Sequence, residues 1–121
     1  MRERVVIYDG AMGTNIQFRN PSVDDFWGNE GCNEILVLSR PDIIKDIHAS
    51  FLAVGCDVVE TDTFGATPVV LGEYQLQAKT IEINRAAAQL ARRCADRFAT
   101  PSQPRFVAGS IGPSGMLPSA N

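Results

Sequence analysis

The sequence predicts an α/β fold in which three β-strands alternate with helices in the order β-α-β-α-β. Three short apolar segments have the composition of buried strands, and each is followed by a polar or glycine-containing stretch. The segments between them carry apolar residues at helical spacing. Because strands separated by helices imply right-handed crossovers, the sheet is expected to be parallel.

The first strand is predicted over residues 4–8, which contain a continuous apolar run. Residues 15–38 are predicted to form a long excursion with short helical pieces, because Pro21, Gly28 and Gly31 interrupt them.

The clearest helix start is Ser39-Arg40-Pro41-Asp42. Ser39 is predicted to be the N-cap and Asp42 to complete a capping box, while Pro41 lies in the first turn, where its missing N–H has no cost. Gly55 supplies a left-handed stop. The apolar residues at helical spacing in this segment are Ile43, Ile44, Ile47, Phe51 and Val54.

The second strand is predicted over residues 57–61, and a short helix over residues 66–74 follows it. The longest helix is predicted over residues 80–98, which are rich in alanine. A loop with two prolines then leads to the third strand at residues 106–110. The residues of the longest helix predicted to face inward are Ile81, Ala87 or Ala88, Leu90, Ala91, Cys94 and Phe98.

The composition is that of one soluble globular domain of 121 residues, with 45% hydrophobic and 21% charged residues. A net charge of −3 argues against nucleic-acid binding, which needs clustered lysine and arginine. No apolar stretch reaches the ~18 residues of a membrane span. The N-terminus lacks the apolar run of a signal peptide. We therefore expect a cytoplasmic protein that binds neither membranes nor nucleic acids.

The cysteines Cys32, Cys56 and Cys94 are interpreted as reduced thiols, because their number is odd and they are widely spaced. Cys56 and Cys94 lie in apolar stretches and are predicted to fill the core. His48 is the only histidine and is interpreted as a structural or surface residue. These residues do not have the spacing of a metal site, so none is predicted.

Three polar clusters follow the predicted strands, and the carboxyl ends of parallel strands meet at one edge of a sheet. In the first cluster, Asp9 could accept a hydrogen bond from a substrate ammonium group, and Gly10 could let backbone N–H groups approach a ligand. A tight turn with Asp9 as the turn-forming residue explains the same pattern. Spacing alone leaves both interpretations open.

The second cluster, Glu60-Thr61-Asp62-Thr63, carries two acids that could bind a cation, a metal or an amine. Strand alternation would direct Glu60 and Asp62 to one side and the threonines to the other. The alternative is that the threonine hydroxyls satisfy the loop backbone. A functional role is favoured, because unpaired acids near a core are costly. The third cluster contains Ser110 among small residues, and either a ligand or a plain loop accounts for it.

The stretches DGAMGTNIQ, EGCNEILVLSRPDIIKDIHASFLAVGCDVVETDTF, EINRAAAQLARR and PRFVAGSIGP occur in this order and cover most of the chain from Arg4 onward. Together they resemble the N-terminal end of a homocysteine S-methyltransferase domain, most closely that of the cobalamin-dependent members. The resemblance implies a (β/α)8 barrel, a fold of ~250 residues or more. Residues 1–121 are then expected to be a truncated fragment, the first β-α-β-α-β portion of the barrel, with one bare strand edge.

The resemblance also implies an activity, the transfer of a methyl group from methylcobalamin to homocysteine to give methionine. A zinc ion held by three cysteines binds the homocysteine sulfur as the attacking thiolate. Folate- and cobalamin-binding modules of the full-length protein are the implied partners. The zinc cysteines of the family lie on later strands, so Cys32, Cys56 and Cys94 are not expected to be ligands. The chain alone is expected to bind neither cofactor and to be inactive.

Substrate binding is implied at all three clusters, whereas no catalytic residue or metal ligand is implied within the chain. Asp62 stands where the family more often has asparagine, and its role stays open. The residues implied to bind homocysteine are Asp9, Gly10, Ala11, Glu60, Thr61, Thr63 and Ser110.

Two alternatives remain. A cobalamin-independent homocysteine S-methyltransferase, with betaine or S-methylmethionine as the methyl donor, would share the same barrel. A non-catalytic α/β ligand-binding module could instead use Asp9 and Gly10 for another ligand such as a phosphate, or could assemble with a complementary chain.

Overall fold

The computed structural model describes residues 4–113 as a mixed α/β fold built on a small parallel sheet. Strand β1 (Val58–Glu60) pairs in parallel with β2 (Phe106–Ala108), and Val58 lies opposite Phe106. The predicted parallel sheet is therefore confirmed for the second and third strands.

The first predicted strand is reduced to a single parallel bridge between Tyr8 and Val58. The carbonyl oxygen of Ile7 accepts hydrogen bonds from the backbone N–H groups of Asp57 and Val58, at 2.7 and 3.2 Å. The prediction of a regular strand over residues 4–8 is thus wrong in length. The physical reason is burial, because Ile7 is 55% exposed and apolar packing does not hold this segment in a regular ladder.

The excursion before the second strand consists of short helical pieces, as predicted. Helix α1 spans Met12–Arg19 and ends at Asn20, which has a left-handed backbone. Two 3₁₀ turns span Asp24–Phe26 and Asn33–Ile35, and helix α2 spans Leu36–Ser39.

Helix α3 spans Pro41–Ala53, with the predicted proline in its first turn. The prediction that Ser39 is its N-cap is wrong, because Ser39 ends α2 and its hydroxyl donates to the backbone carbonyl of Asp25. Arg40 occupies the N-cap position without a side-chain cap, and its guanidinium pairs with Asp42 at 2.9 Å. Asp42 is therefore engaged with a side chain and does not complete a capping box.

Helices α4 (Pro68–Gly72) and α5 (Thr80–Phe98) are joined by a turn that contains a 3₁₀ segment at Gln77–Lys79. Helix α5 has the predicted bounds. The prediction that Ile81 faces inward is wrong, since Ile81 is 73% exposed and Ile83 is buried in its place. No helix within residues 4–113 is long and apolar enough to cross a membrane.

The core lies between α3, α5 and the sheet. Cys56 and Cys94 are buried in it, as predicted, and so is His48. Val54 was included in the apolar residues at helical spacing but is 83% exposed, because α3 ends at Ala53 and Val54 leaves the helical stripe. The largest fully buried apolar side chains include Ile16, Ile35, Leu36, Ile44, Ile47, Leu52, Leu71 and Ile83.

Two charged side chains fix the end of the sheet where the strands begin. Asp57 accepts hydrogen bonds from both Nη atoms of Arg4 at 3.0 and 2.7 Å, and this contact holds the pKa of Asp57 well below its usual range. Arg105 donates to the carbonyl oxygens of Leu52 and Cys56 at 2.8 and 2.9 Å, which ties β2 to the end of α3. The opposite end of the sheet, where the strands finish, carries the candidate site.

Candidate functional site

A cavity of about 480 Å³ lies at the edge of the sheet where the strands end. Residues 9–13, 33–34 and 60–62 line it, together with Phe64 and Ser110. All three polar clusters of the sequence therefore meet here, as the expectation of a parallel sheet required. Of the residues predicted to bind substrate, all except Thr63 contribute to this lining.

Asp9 follows the Tyr8 bridge and joins two of the loops around the cavity. Its Oδ2 atom accepts a hydrogen bond from the backbone N–H of Glu60 at 3.0 Å. Its Oδ1 atom is buried and has no hydrogen-bond partner among the described residues. Partial burial raises the pKa of Asp9 to about 6, although backbone hydrogen bonds, chiefly that from Glu60, favour the ionised form. One oxygen thus serves the fold, while the other has no described partner.

The loop after Asp9 leads directly into α1. At Gly10, an added Cβ would lie 3.2 Å from the ring of Phe51, so a side chain there would press against α3. Ala11 is the N-cap of α1 and provides no side-chain hydrogen bond to the first turn. The first-turn residues Met12 and Gly13 line the cavity, and the turn contains no acidic side chain. The N-terminal backbone of α1 is therefore positioned to receive an anionic group.

The two threonines tie the loop after β1 to the loop after β2. The Thr63 hydroxyl donates to the carbonyl oxygen of Ser110 at 2.7 Å, so the proton of the 2.6 Å contact between the hydroxyls comes from Thr61. The Thr61 oxygen also accepts from the N–H of Ser110 at 3.2 Å. Both hydroxyl protons are therefore used within the protein, as the alternative interpretation of this cluster expected.

Glu60 and Asp62 both line the cavity, but their surroundings differ. Glu60 is exposed, whereas Asp62 is 4% exposed and its Oδ2 atom has no partner among residues 4–113. Burial, with a smaller contribution from the charge of Glu34, raises the pKa of Asp62 well above its usual range. The carboxylate of Glu34 is itself held by the N–H of Gly65 at 2.9 Å.

Asn33 and Glu34 also line the cavity, although the sequence alone did not single them out. They lie on a 3₁₀ turn inside the irregular excursion, where no strand end marks them. The only signal was their place in one of the stretches that carried the family resemblance. A short turn without periodicity gives no other reason to single out an acid.

The charge of the cavity wall is uniformly acidic. Asp9, Glu34, Glu60 and Asp62 line it, and the lining contributed by residues 4–113 contains no lysine, arginine or histidine. Carboxyl groups around one cavity repel one another, and a cation removes this repulsion. The cavity therefore favours a ligand with a positively charged group.

The described residues do not form a zinc site. Within residues 4–113, no group of three or more histidine, cysteine or acidic side chains could hold a metal ion. Cys32, Cys56 and Cys94 are free and separately buried, and burial raises the pKa of Cys32 to about 11. This part of the chain does not fit a zinc ion, because zinc needs deprotonated thiols that converge on one point.

The sequence profile described as Homocysteine S-methyltransferase matches residues 6–120, nearly the whole chain. This chain belongs to the homocysteine S-methyltransferase family. Among its curated relatives, the methionine synthase of Mycobacterium leprae (strain TN) is 44% identical to this chain over 118 residues. That of Mycobacterium tuberculosis (strain ATCC 25618 / H37Rv) is 42% identical over the same length. The match covers 98% of this chain and 10% of each relative, so the chain spans about a tenth of their length.

Solved structures of the family share the fold. The oxidized form of the homocysteine methyltransferase MmuM from Escherichia coli superposes with a TM-score of 0.75 at 24% identity. The match covers 94% of this chain and 39% of MmuM. The metallated form of MmuM gives a TM-score of 0.74 over 94% of this chain and 40% of MmuM.

Proposed function

We propose that this chain is the homocysteine-binding part of a methyltransferase that transfers a methyl group from methylcobalamin to homocysteine, giving methionine. In this proposal residues 1–121 form the first strands and helices of a (β/α)8 barrel. The observation that carries the proposal is the acidic cavity at the strand ends, next to the open N-terminus of α1. Membership in the family supports it, as does the similarity to two methionine synthases.

Homocysteine is a zwitterionic amino acid, and the cavity offers a complement to each of its charges. The free Oδ1 atom of Asp9 accepts a hydrogen bond from the ammonium group. The backbone N–H groups at the start of α1, around Met12 and Gly13, receive the carboxylate. These two contacts fix the amino-acid end and leave the thiol arm free to extend out of the cavity.

The remaining predicted residues form the walls and hold the loops in place. Glu60 and Ala11 line the cavity beside Asp9. Thr61 and Thr63 fix the position of Ser110 through the shared hydrogen bonds of the two loops. Any loss of these hydroxyls would therefore act on homocysteine through loop position, in addition to direct contact.

Activation of the thiol is assigned to residues outside residues 4–113. A zinc ion held by three cysteines supplies a thiolate at neutral pH, but the part of the chain described by the structure does not fit that ion. We therefore assign only binding and orientation of homocysteine to these residues. Folate- and cobalamin-binding modules of a longer protein are the proposed partners.

The methyl donor separates this proposal from its closest alternative. An assay of the complete enzyme with methylcobalamin, betaine and S-methylmethionine, each supplied alone with homocysteine, decides among the donors. Methionine formation with methylcobalamin only is expected. Formation with betaine or S-methylmethionine only would show a cobalamin-independent enzyme, and formation with none of the three would support a non-catalytic module.

A second measurement concerns the 121-residue chain by itself. Without a metal-bound thiolate, only a few per cent of a thiol with a pKa near ~8.5 is ionised at pH 7. We expect no methyl transfer from methylcobalamin to homocysteine by this chain. Methionine formation at a rate close to that of a complete enzyme would contradict this part of the proposal.

A further inference from the structure

Asp62 is buried in the cavity wall without a hydrogen-bond partner. Asp62 is 4% exposed, and its Oδ2 atom has no hydrogen-bond partner among residues 4–113. Such a group destabilises the folded state, because it has lost its hydrogen bonds to water and has formed none within the protein. A buried polar atom at the wall of a cavity is instead satisfied when a ligand enters.

The groups around Asp62 define which ligand can satisfy it. Glu34 on the 3₁₀ turn and the buried thiol of Cys32 both interact electrostatically with Asp62. Asp9 and Glu60 line the same cavity. None of these groups is a cation. A ligand carboxylate or phosphate beside Asp62 would be repelled by Glu34, so the missing partner is positively charged.

A second oxygen in the cavity is in the same condition, the buried Oδ1 atom of Asp9. A primary ammonium group has three N–H donors and can satisfy two carboxyl groups at once. We propose that Asp62 is a second acceptor for the ligand's ammonium group, which it shares with Asp9. This inference rests on the proposed function, which places homocysteine in the cavity.

The proposed contact couples binding to the release of a proton. Burial and Glu34 raise the pKa of Asp62, which favours the protonated carboxyl group when the cavity is empty. The ammonium group favours the ionised form, so binding shifts Asp62 towards losing its proton to solvent. The carboxylate then pairs with the ammonium ion. At pH 8 Asp9, whose pKa is about 6, is already ionised, so the protons available for release are that of Asp62 and that of the ligand thiol, which becomes a zinc-bound thiolate.

The test compares two ligands in the complete, zinc-loaded enzyme by calorimetric titration at pH 8. Homocysteine carries the ammonium group, and 4-mercaptobutanoate has the same thiol and carboxylate without it. For Asp62→Asn we expect homocysteine to bind roughly 10- to 150-fold more weakly, the range for a charge-assisted hydrogen bond. Binding of 4-mercaptobutanoate should change less than twofold. Asp24→Asn, an exposed residue outside the cavity lining, is the matched control and should change neither affinity.

A second measurement needs no variant. Titration of the wild-type enzyme in two buffers of different ionisation enthalpy gives the number of protons exchanged on binding. Both ligands lose the thiol proton when the sulfur binds zinc, so we expect homocysteine to release more protons than 4-mercaptobutanoate, with the excess coming from Asp62. Either of two results would overturn the role of Asp62 and leave the proposed function standing. One is an equal loss of affinity for both ligands in Asp62→Asn, and the other is a homocysteine affinity of Asp62→Asn within twofold of wild type. Failure of the wild type to bind homocysteine would overturn the proposed function, and this inference with it.

Discussion

The substitution Asp9→Asn is the most direct test of the cavity, because one carboxyl group has both a structural and a proposed binding atom. Asparagine keeps an oxygen that can accept from the Glu60 N–H, now at 3.0 Å from Asp9 Oδ2. The other atom becomes an NH₂ group, which offers donors where the ammonium group needs an acceptor. A charge-assisted hydrogen bond is worth ~1.5–3 kcal/mol, so homocysteine should bind roughly 10- to 150-fold more weakly.

Stability should move in the opposite direction. The pKa of Asp9 is raised from 3.8 to about 6 in the folded protein, so the folded state holds its proton more tightly than the unfolded state. The contribution of Asp9 to wild-type stability therefore falls as pH rises from about 4 to 6, and it stays reduced at pH 7. Because Asp9 is only half-buried, solvent screening limits this cost to roughly 1–2 kcal/mol, which the neutral asparagine removes.

The assay is calorimetric titration of homocysteine into zinc-loaded wild type and Asp9→Asn at pH 7, with thermal unfolding of both proteins. Asp24→Asn, which removes an exposed charge outside the cavity, is the control for net charge. Zinc content should be equal in all three proteins. If Asp9 only forms a turn, homocysteine affinity changes less than twofold, and that result would refute the site assignment.

Three further predictions follow from other residues. After metal is removed with a chelator and zinc is added back, the 121-residue chain should not form a tight one-to-one zinc complex, because no three ligands converge among the described residues. Tight binding of one zinc ion per chain would contradict this. His48 is fully buried, burial lowers its pKa from 6.5 to about 4, and its ring nitrogens have no described partners. The contribution of His48 to stability should therefore fall by ~3 kcal/mol as pH drops from 6.5 to 4, and in chemical denaturation His48→Leu should lack this contribution; an acid response equal to that of the wild type would refute the assignment. Gly112→Ala would place a Cβ 2.6 Å from the carbonyl oxygen of Phe64, so the loop after β2 must shift and homocysteine affinity should fall; an affinity equal to wild type would show that this contact does not shape the cavity.

Parts of the fold that depend on long periodic segments were predictable from the sequence. Helix α5 has the predicted bounds, because its apolar stripe continues over five turns and outweighs any local detail. Ser39 shows where this reasoning fails. Its position before Arg40 and Pro41 fits an N-cap, but the chain is already helical in α2, and the hydroxyl is used by the carbonyl of Asp25. Tertiary contacts from a residue distant in sequence decided this case.

The candidate site was predictable where it follows the strands and not elsewhere. Asp9 and Ser110 could be assigned to one edge because parallel strands bring their carboxyl ends together. Glu34 enters the same cavity from an irregular turn, and the sequence contains no physical signal for that approach. The sequence also could not show that Thr63 is turned into the protein, because a hydroxyl serves a ligand and a backbone carbonyl equally well.

The hydrogen bonds among Thr61, Thr63 and Ser110 have a consequence for motion at the cavity. Together with the bond from the Gly112 N–H to the Phe64 carbonyl at 2.9 Å, they join the loops after β1 and β2 at several points. Loops joined in this way cannot move independently, because displacement of either loop breaks the hydrogen bonds that they share. Ligand entry should therefore involve one concerted displacement, and the amides of both loops should report a single exchange rate in relaxation-dispersion experiments.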